Sequence, residues 1–257
     1  MIDFYRFKNL SHEPGCMHAV TKKDPNEPYA LSLALHTGEA LDEIVANRQK
    51  IISELDLAEK SYFVVAEQTH SDNITVITQS ATKGWEALED AVSESDALIT
   101  DLPNVMLVIL TADCVPILLY DKKRKVVAAV HAGWKGTDRE IVFKTVQKMI
   151  EVYGSDPVDI LAGIAPSIGK CCYEVGENVA KYFSDIPGVL SQKSEKYMLD
   201  LPAVNHYQLL KAGLQESNIE LSGVCTACEV DSFFSYRKEQ GCSGRFMSLI
   251  GVLPEAE

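Results

Sequence analysis

No apolar run in this chain approaches the ~20 residues that a membrane-spanning helix needs, so no membrane is expected as a partner. Positive charge is also scarce: 24 Lys and Arg stand against 37 Asp and Glu, a formal net charge of −13. Proteins that hold a nucleic-acid backbone need basic stripes to displace counterions, so nucleic acid is not expected either. The acidic surplus reads as a solvated surface, which leaves room for a local basic pocket that takes small anions. No Pro/Gly/Ser linker, charge block or internal repeat divides the chain, and residues 1–257 are expected to form one domain. GxGxxG, HExxH and GxSxG are all missing. The stretch from Gly163 to Cys171 imitates a P-loop, but it has five residues between its glycines, contains Pro166, and carries Cys where Ser or Thr should hold magnesium. A nucleotide triphosphatase is therefore not expected.

Cysteine is present in an odd number, seven, and is scattered apart from the vicinal Cys171-Cys172. No apolar segment follows a basic one at the N-terminus, and Met1-Ile2-Asp3-Phe4 reads like the start of a mature protein. The thiols are thus expected to be reduced and the protein cytoplasmic. Cys225-Thr226-Ala227-Cys228 is a CxxC, but no second pair follows at comparable spacing, and adjacent Cys171 and Cys172 do not easily chelate together. A zinc knuckle is not expected. The zinc-deaminase signature also fails, because there is no HxE and Val224 stands where Pro should precede the CxxC.

What remains is ordinary globular material, 46 % apolar and 24 % charged, enough to bury a core without disulfides. Leu41, Ile44, Val45, Ile51, Ile52 and Leu55 fall on one face of a helix over 41–55, with Arg48 in a slot of that stripe that should be apolar. Arg48 either pairs with a structural carboxylate, or snorkels, or aims its fork into a pocket that takes phosphate or carboxylate. Tyr62 to Ala66 and Ile74 to Thr78 read as a β-hairpin closed by the polar turn 68–73, and 79–95 as a loop with a short helix. Val105 to Leu110 is a doubly buried strand, followed across Thr111 to Cys114 by Val115 to Tyr120, and then by Val126 to His131. Thr137 and Glu140 have capping-box spacing, which predicts a helix running to Gly154 with an anion-ready N-terminus. Strands are further expected at 160–164, 219–225 and 247–252, and helices at 176–183 and 203–215. Mixed strands and helices with hairpins suggest an α/β sandwich with a mixed sheet.

His70, Cys114 and His131 each stand at a strand mouth. Taken singly, each is more often a core imidazole or buried thiol. Taken together they leave open a shared site, and three protein ligands with a fourth position for water or substrate is the catalytic zinc pattern. Asp113 beside Cys114 is a candidate for orienting a ligand His or carrying a proton, or a turn-forming Asp. Phe233-Phe234-Ser235-Tyr236-Arg237, continuing to Arg245, reads as an aromatic strand that walls a pocket or simply fills the core.

These segments together resemble the YfiH or laccase-domain family, also described as multicopper polyphenol oxidase-like and purine nucleoside phosphorylase-like. The stretches that carry the resemblance are Leu33–Gly38, Asn47-Arg48, QTH at 68–70, SDALIT at 95–100, TADC at 111–114, VHAGWKGT at 130–137, GIAPSIGKCCYEVG at 163–176, and FFSYR with GRF near the C-terminus. They run in order over most of the chain. One departure is Ser71, where the family usually has Gly after its His.

The resemblance implies a four-layer α/β/β/α sandwich with mixed sheets, similar to the deamidase domain of cytotoxic necrotizing factor. It implies zinc held by His70, Cys114 and His131, with purine nucleosides and phosphate as partners. The implied reactions are phosphorolysis of adenosine, inosine, guanosine and methylthioadenosine, and deamination of adenosine; some members are linked to peptidoglycan editing. On that reading Arg48, Lys135 and Arg245 are candidates for holding substrate or phosphate, and Cys114, His131, Asp113 and His36 for the chemistry. Copper oxidation is the older family label, but six His at 12, 18, 36, 70, 131 and 206, with no HxH, suit a single copper rather than a laccase cluster. A metal-free Cys–His hydrolase and a non-enzymatic binding protein with a vestigial metal site stand as rivals.

Overall fold

A computed structural model describes residues 2–57, 61–241 and 243–254. In chain order the elements are β1 (Phe4–Tyr5), α1 (Lys8–Ser11), β2 (Cys16–Thr21), α2 (Leu41–Glu54), β3 (Tyr62–Val65), β4 (Ile74–Val76), β5 (Ala97–Thr100), β6 (Val105–Thr111), β7 (Val115–Asp121) and β8 (Val126–Ala132). There follow α3 (Trp134–Asp138), α4 (Ile141–Tyr153), β9 (Ile160–Ile164), β10 (Glu174–Val175), α5 (Glu177–Ala180), β11 (Leu190–Lys193), β12 (Lys196–Leu199), α6 (Leu201–Lys211), β13 (Ile219–Leu221) and β14 (Phe246–Val252). No helix among the described residues is long and apolar enough to cross a membrane.

Two mixed sheets stack face to face. One has the order β1-β2-β14-β6-β3 and the other β13-β9-β7-β8-β5-β4; a small third sheet, β10-β12-β11, stands apart. The strands of the two large sheets are apolar on both faces, and their period of two sorts side chains into layers. Val105, Leu107 and Ile109 of β6 meet Leu118 and Tyr120 of β7 and Val127 and Ala129 of β8 in the core between the sheets. The alternate residues Met106, Val108 and Leu110 pack outward with Ile51 and Ile52 of α2. On the far side Ile117, Leu119, Ala128 and Val130 pack with Val142, Val146 and Met149 of α4 and Val204 and Leu209 of α6. The result is the mixed-sheet α/β sandwich expected from the sequence, with the α/β/β/α layering that the resemblance implies.

Several local expectations are corrected. The segments 62–66 and 74–78 do not form a hairpin: β3 pairs with β6 in one sheet and β4 with β5 in the other, both parallel, so the turn carrying His70 crosses between sheets. The same is true of 112–114, which takes the chain from β6 to β7. Residues 79–95 contain no helix, and 233–237 are irregular backbone leading into a turn rather than a strand, although Phe233 and Phe234 do fill the inter-sheet core. The 219–225 strand stops at Leu221. The capping box does not form. Helix structure begins earlier, at Trp134, and breaks where Glu140 takes a left-handed backbone (φ 59) before α4. The Thr137 side chain instead accepts from Asn205 Nδ2 at 3.1 Å, tying α3 to α6.

Arg48 resolves the anomaly in the α2 stripe. The buried face of α2 includes Ile44, Asn47, Arg48, Ile51 and Ile52, while Leu41 is 57 % exposed. Arg48 Nε and Nη2 donate to Leu33 O at 2.8 and 2.6 Å, and Nη1 donates to Gly84 O and Trp85 O at 2.7 and 2.6 Å. Its guanidinium also lies over the Trp85 ring. Four of the five N–H groups of the side chain are thus spent on backbone carbonyls of two loops. The expectation that Arg48 anchors phosphate is corrected on this ground: its fork braces the fold. Arg48→Met should cost about 3 kcal/mol or more in urea unfolding, because three buried carbonyls lose charge-assisted donors. Arg48→Lys should recover little, since one ammonium cannot reproduce the fork. A loss below about 1 kcal/mol would show that the brace is dispensable.

Candidate metal centre and cleft

His70, Cys114 and His131 come together as the sequence suggests, and the topology explains how. His70 and Cys114 ride the two crossovers from the first sheet to the second, while His131 lies on β8. Alternation puts His131 on the face of Val127 and Ala129, toward the gap between the sheets. The β7–β8 register pairs Pro116 with His131, so Cys114 lies just beyond the strand end at the same rim. Cys114 Sγ is 3.8 Å from His70 Nε2, and the two imidazoles meet edge to face with centroids 4.8 Å apart. One ligand atom from each of the three lies within 4.8 Å of the others. For a tetrahedral zinc with Zn–S near 2.3 Å and Zn–N near 2.0 Å, a sulfur–nitrogen separation of about 3.5 Å is expected. Donor types and spacing therefore fit a single ion of that class. Gly133 makes the approach feasible: a Cβ there would sit 2.9 Å from His70 Cδ2 and 3.3 Å from Cys114 Sγ.

The residue that organises the site is Asp96, which sequence reasoning missed. It is fully buried, and its Oδ1 lies 2.7 Å from His131 Nδ1. That contact leaves Nε2 of His131 to face Cys114. Oδ1 also accepts the His70 N–H at 3.1 Å, while Oδ2 accepts from the Ser71 N–H and hydroxyl, each at 2.6 Å. The Asp96 carbonyl takes the His131 N–H at 2.7 Å. One carboxylate thus holds both the left-handed His70 turn (φ 60) and the His131 ring. Ser71, the departure from the family, adds a hydroxyl donor that Gly would lack. The only sequence signal for Asp96 was its place in SDALIT.

Electrostatics follow from this packing. Burial favours the neutral Asp96, but hydrogen bonds from His131 and Ser71 and the His131 charge outweigh it and bring the pKa down to about 2. Burial likewise opposes ionisation of Cys114, yet the adjacent His131 charge and hydrogen bonds from both imidazoles lower it to about 6. His131 rises to about 9 despite its burial, because the Cys114 thiolate and Asp96 stabilise its cation. Without metal the pair is a thiolate–imidazolium.

A cleft of about 730 Å3 opens above the trio, in the size range that encloses a small organic ligand. Leu35, His36, Leu88, Tyr173, Tyr236 and Arg245 are among its walls. The pocket-wall expectation for the 233–245 segment holds for Tyr236, Arg237 and Arg245. His36 is lowered by burial and by the charge of Arg245. Asp113 lines the cleft without touching either imidazole: Oδ1 accepts from Thr226 Oγ1 and Oδ2 from the Arg237 N–H, both at 2.7 Å. Its expected role of orienting a ligand His is therefore corrected, because Asp113 staples the 226–237 wall and Asp96 does the orienting. Lys135 is exposed on α3, over the Trp134 ring, and outside the cleft lining. The anion site expected at this helix N-terminus is not supported, since α3 has only five residues. The expectation for the cysteine pairs is also overturned: Cys171, Cys172, Cys225 and Cys228 converge in one cluster, with the four sulfurs all within 4.8 Å of one another.

Residues 19–253 match the model of a family described as multi-copper polyphenol oxidoreductase laccase. The chain is 36 % identical over 229 residues to a protein of Bacillus subtilis (strain 168) named purine nucleoside phosphorylase YlmD, covering 87 % of this chain and 82 % of that one. It is 35 % identical over 223 residues to a protein named adenosine deaminase RL5 from an unknown prokaryotic organism, covering 84 % and 77 %. The crystal structure of YlmD from Geobacillus stearothermophilus superposes with a TM-score of 0.91 at 31 % identity, covering 99 % of this chain and 100 % of that one.

In metal-free protein, alkylation of Cys114 followed peptide by peptide in a mass spectrometer should rise with pH about a midpoint near 6, since a lowered thiol pKa keeps the thiolate above that pH. His131→Ala should move the midpoint upward, because the charge and hydrogen bond supplied by His131 are lost while only those of His70 still oppose burial. An unmoved midpoint would show that His131 does not activate the thiol.

Proposed function

The chain belongs to the multi-copper polyphenol oxidoreductase laccase family, and from that premise we propose that it is a zinc-dependent purine nucleoside phosphorylase that also deaminates adenosine. The observation that carries the reading is the convergence of His70, Cys114 and His131 under a cleft of nucleoside-compatible size, with His131 oriented by Asp96. The names of the relatives, purine nucleoside phosphorylase and adenosine deaminase, support the reaction class. Among the described residues, the only metal-type group that contains His has two of them and one Cys. Such a set suits one ion and not a multicopper cluster.

His70, Cys114 and His131 would hold the zinc, which when bound supplies Lewis acidity and makes water acidic enough to attack near neutral pH. The chain's own residues would do the rest. Asp96 fixes the His131 tautomer and the His70 turn, so that both ligands are oriented before substrate arrives. Tyr236, beside Arg245, offers a ring face to the flat base. Arg245 would meet the phosphate, its Nη1 already held by Ser243 O and Gly244 O in a fixed direction. His36, kept neutral at pH 7 by its lowered pKa, would take a proton from the incoming nucleophile. Reduced thiols at the site accord with a cytoplasmic protein.

The test is inosine and adenosine turnover followed by chromatography, with and without phosphate, alongside metal analysis. Cys114→Ala should lose the cleft ion and at least 100-fold in kcat/KM, as expected when several kcal/mol of Lewis-acid stabilisation is removed. A variant that keeps both zinc and full phosphorolysis would sink the proposal. Asp96→Asn should weaken zinc 10–100-fold in competition with a chromogenic chelator, because the orienting carboxylate is lost. Undiminished affinity would remove Asp96 from the account.

One rival reading has an observation of its own. Cys114, His131 and Asp96 also have the order of a nucleophile, its base and the base's orienter, as in a metal-free thiol hydrolase. Chelator treatment separates the two, because a thiol hydrolase keeps its activity while a zinc enzyme loses it.

A further inference from the structure

The four-cysteine cluster lies outside the His70–Cys114–His131 centre, and the function proposed above makes no use of it. Cys228 Sγ is 3.6 Å from Cys171 Sγ and 3.5 Å from Cys172 Sγ. A tetrahedral ion with metal–sulfur bonds near 2.3 Å separates its sulfurs by about 3.8 Å, so these spacings fit one ion. The backbone is built around the sulfurs. The Gly169 N–H donates to Cys225 Sγ at 3.2 Å, and the N–H groups of Cys228 and Glu229 close a turn on the Cys225 carbonyl at 3.1 and 2.9 Å. A Cβ at Gly169 would lie 3.2 Å from Cys225 Cβ, 3.4 Å from Cys171 Sγ and 3.6 Å from Cys225 Sγ, so only glycine lets the two loops close comfortably. Those loops are tied directly: the Thr226 N–H donates to Ser167 O at 3.0 Å, and the Ser167 N–H to Val224 O at 3.3 Å.

We propose that Cys171, Cys172, Cys225 and Cys228 form a second metal site, a tetrathiolate centre that takes one zinc ion and leaves it no open position. An all-sulfur tetrahedral donor set selects a soft ion and fills its coordination, which is the structural rather than the catalytic pattern. Without a cation the sulfurs disfavour one another's ionisation: Cys172 is raised to about 11 by burial and by its neighbours, and Cys171 is raised further. The Cys225 sulfur is the exception, lowered against its burial by the backbone N–H groups aimed at it. The site has a clear structural consequence. Ile168 and Tyr173 flank one cysteine pair, and Tyr236 and Arg237 follow the other; all four line the cleft. A bound ion would tie together the two segments that carry these four lining residues.

The test uses the full chain purified anaerobically under reducing conditions, and it is independent of nucleoside turnover. Native mass spectrometry should show the parent carrying one more zinc per chain than either Cys171→Ser or Cys228→Ser, whether or not the cleft trio is loaded. Cobalt(II) titration of the unmutated protein gives a readout that needs no variant. An intense tetrathiolate charge-transfer band should grow in over one equivalent, persist in a His70→Ala protein and, in Cys228→Ser, fall to no more than the weaker band of a single Cys114 thiolate. Three results would overturn the proposal: equal zinc content in parent and both cysteine variants, cobalt spectra with no tetrathiolate band, or a chain mass lower by two hydrogens with Cys171 or Cys172 found disulfide-bonded to Cys228.

Discussion

The buried carboxylate of Asp96 sets the geometry of the cleft floor. It has no exposure to water, so its charge must be met by donors from the protein, and the donors it recruits come from the His70–Ser71 turn and from β8. The His131 ring, the His70 amide and both donors of Ser71 converge on its two oxygens. The requirement that a buried charge be fully hydrogen-bonded thus becomes a positional constraint on two imidazoles from two different chain segments. The thiolate–imidazolium character of Cys114 and His131 follows, because Asp96 stabilises the cation that in turn stabilises the thiolate.

A second constraint works at the periphery. From the sequence Arg48 was open between a structural and an anion-binding role and Asp113 between a turn former and a participant in the chemistry, and both are occupied with loop groups. Arg48 gathers the carbonyls of Leu33, Gly84 and Trp85, and Asp113 gathers the Thr226 hydroxyl and the Arg237 amide. Each is charged and buried next to the cleft, yet each has its hydrogen-bonding capacity directed at loops. The cleft walls are long irregular segments, and irregular backbone near a core needs such partners. Among the other residues that line the cleft above the trio are His36, Tyr236 and Arg245.

The layers of the fold were legible because the central strands are apolar on both faces and the flanking helices on one. The trio was legible because His70, Cys114 and His131 each stand where a strand gives way to a polar turn. Pairing was not legible: β3 and β4 look like a hairpin in sequence, and only the parallel partners β6 and β5 show that they belong to different sheets. Asp96 was hidden because an Asp ahead of a strand is common and its imidazole partner is distant along the chain. The cysteine cluster was hidden for a related reason. Each pair is incomplete alone, and the bridge between Ser167 and Cys225 that unites them is a backbone feature with no residue signature.

His70 and Cys114 are carried on two of the strips of chain that pass between the sheets, while His131 is fixed to the second sheet alone. The separation between the donors is therefore set by how the two sheets sit on one another. Core side chains between the sheets, such as Leu107, Leu118 and Phe246, act as shims under the His70–Cys114–His131 trio. Exchanging a shim for a larger or smaller one would shift the sheets and change the spacing of the three donors from a distance. In this architecture the choice of hydrophobic filling doubles as an adjustment of the chemistry above it.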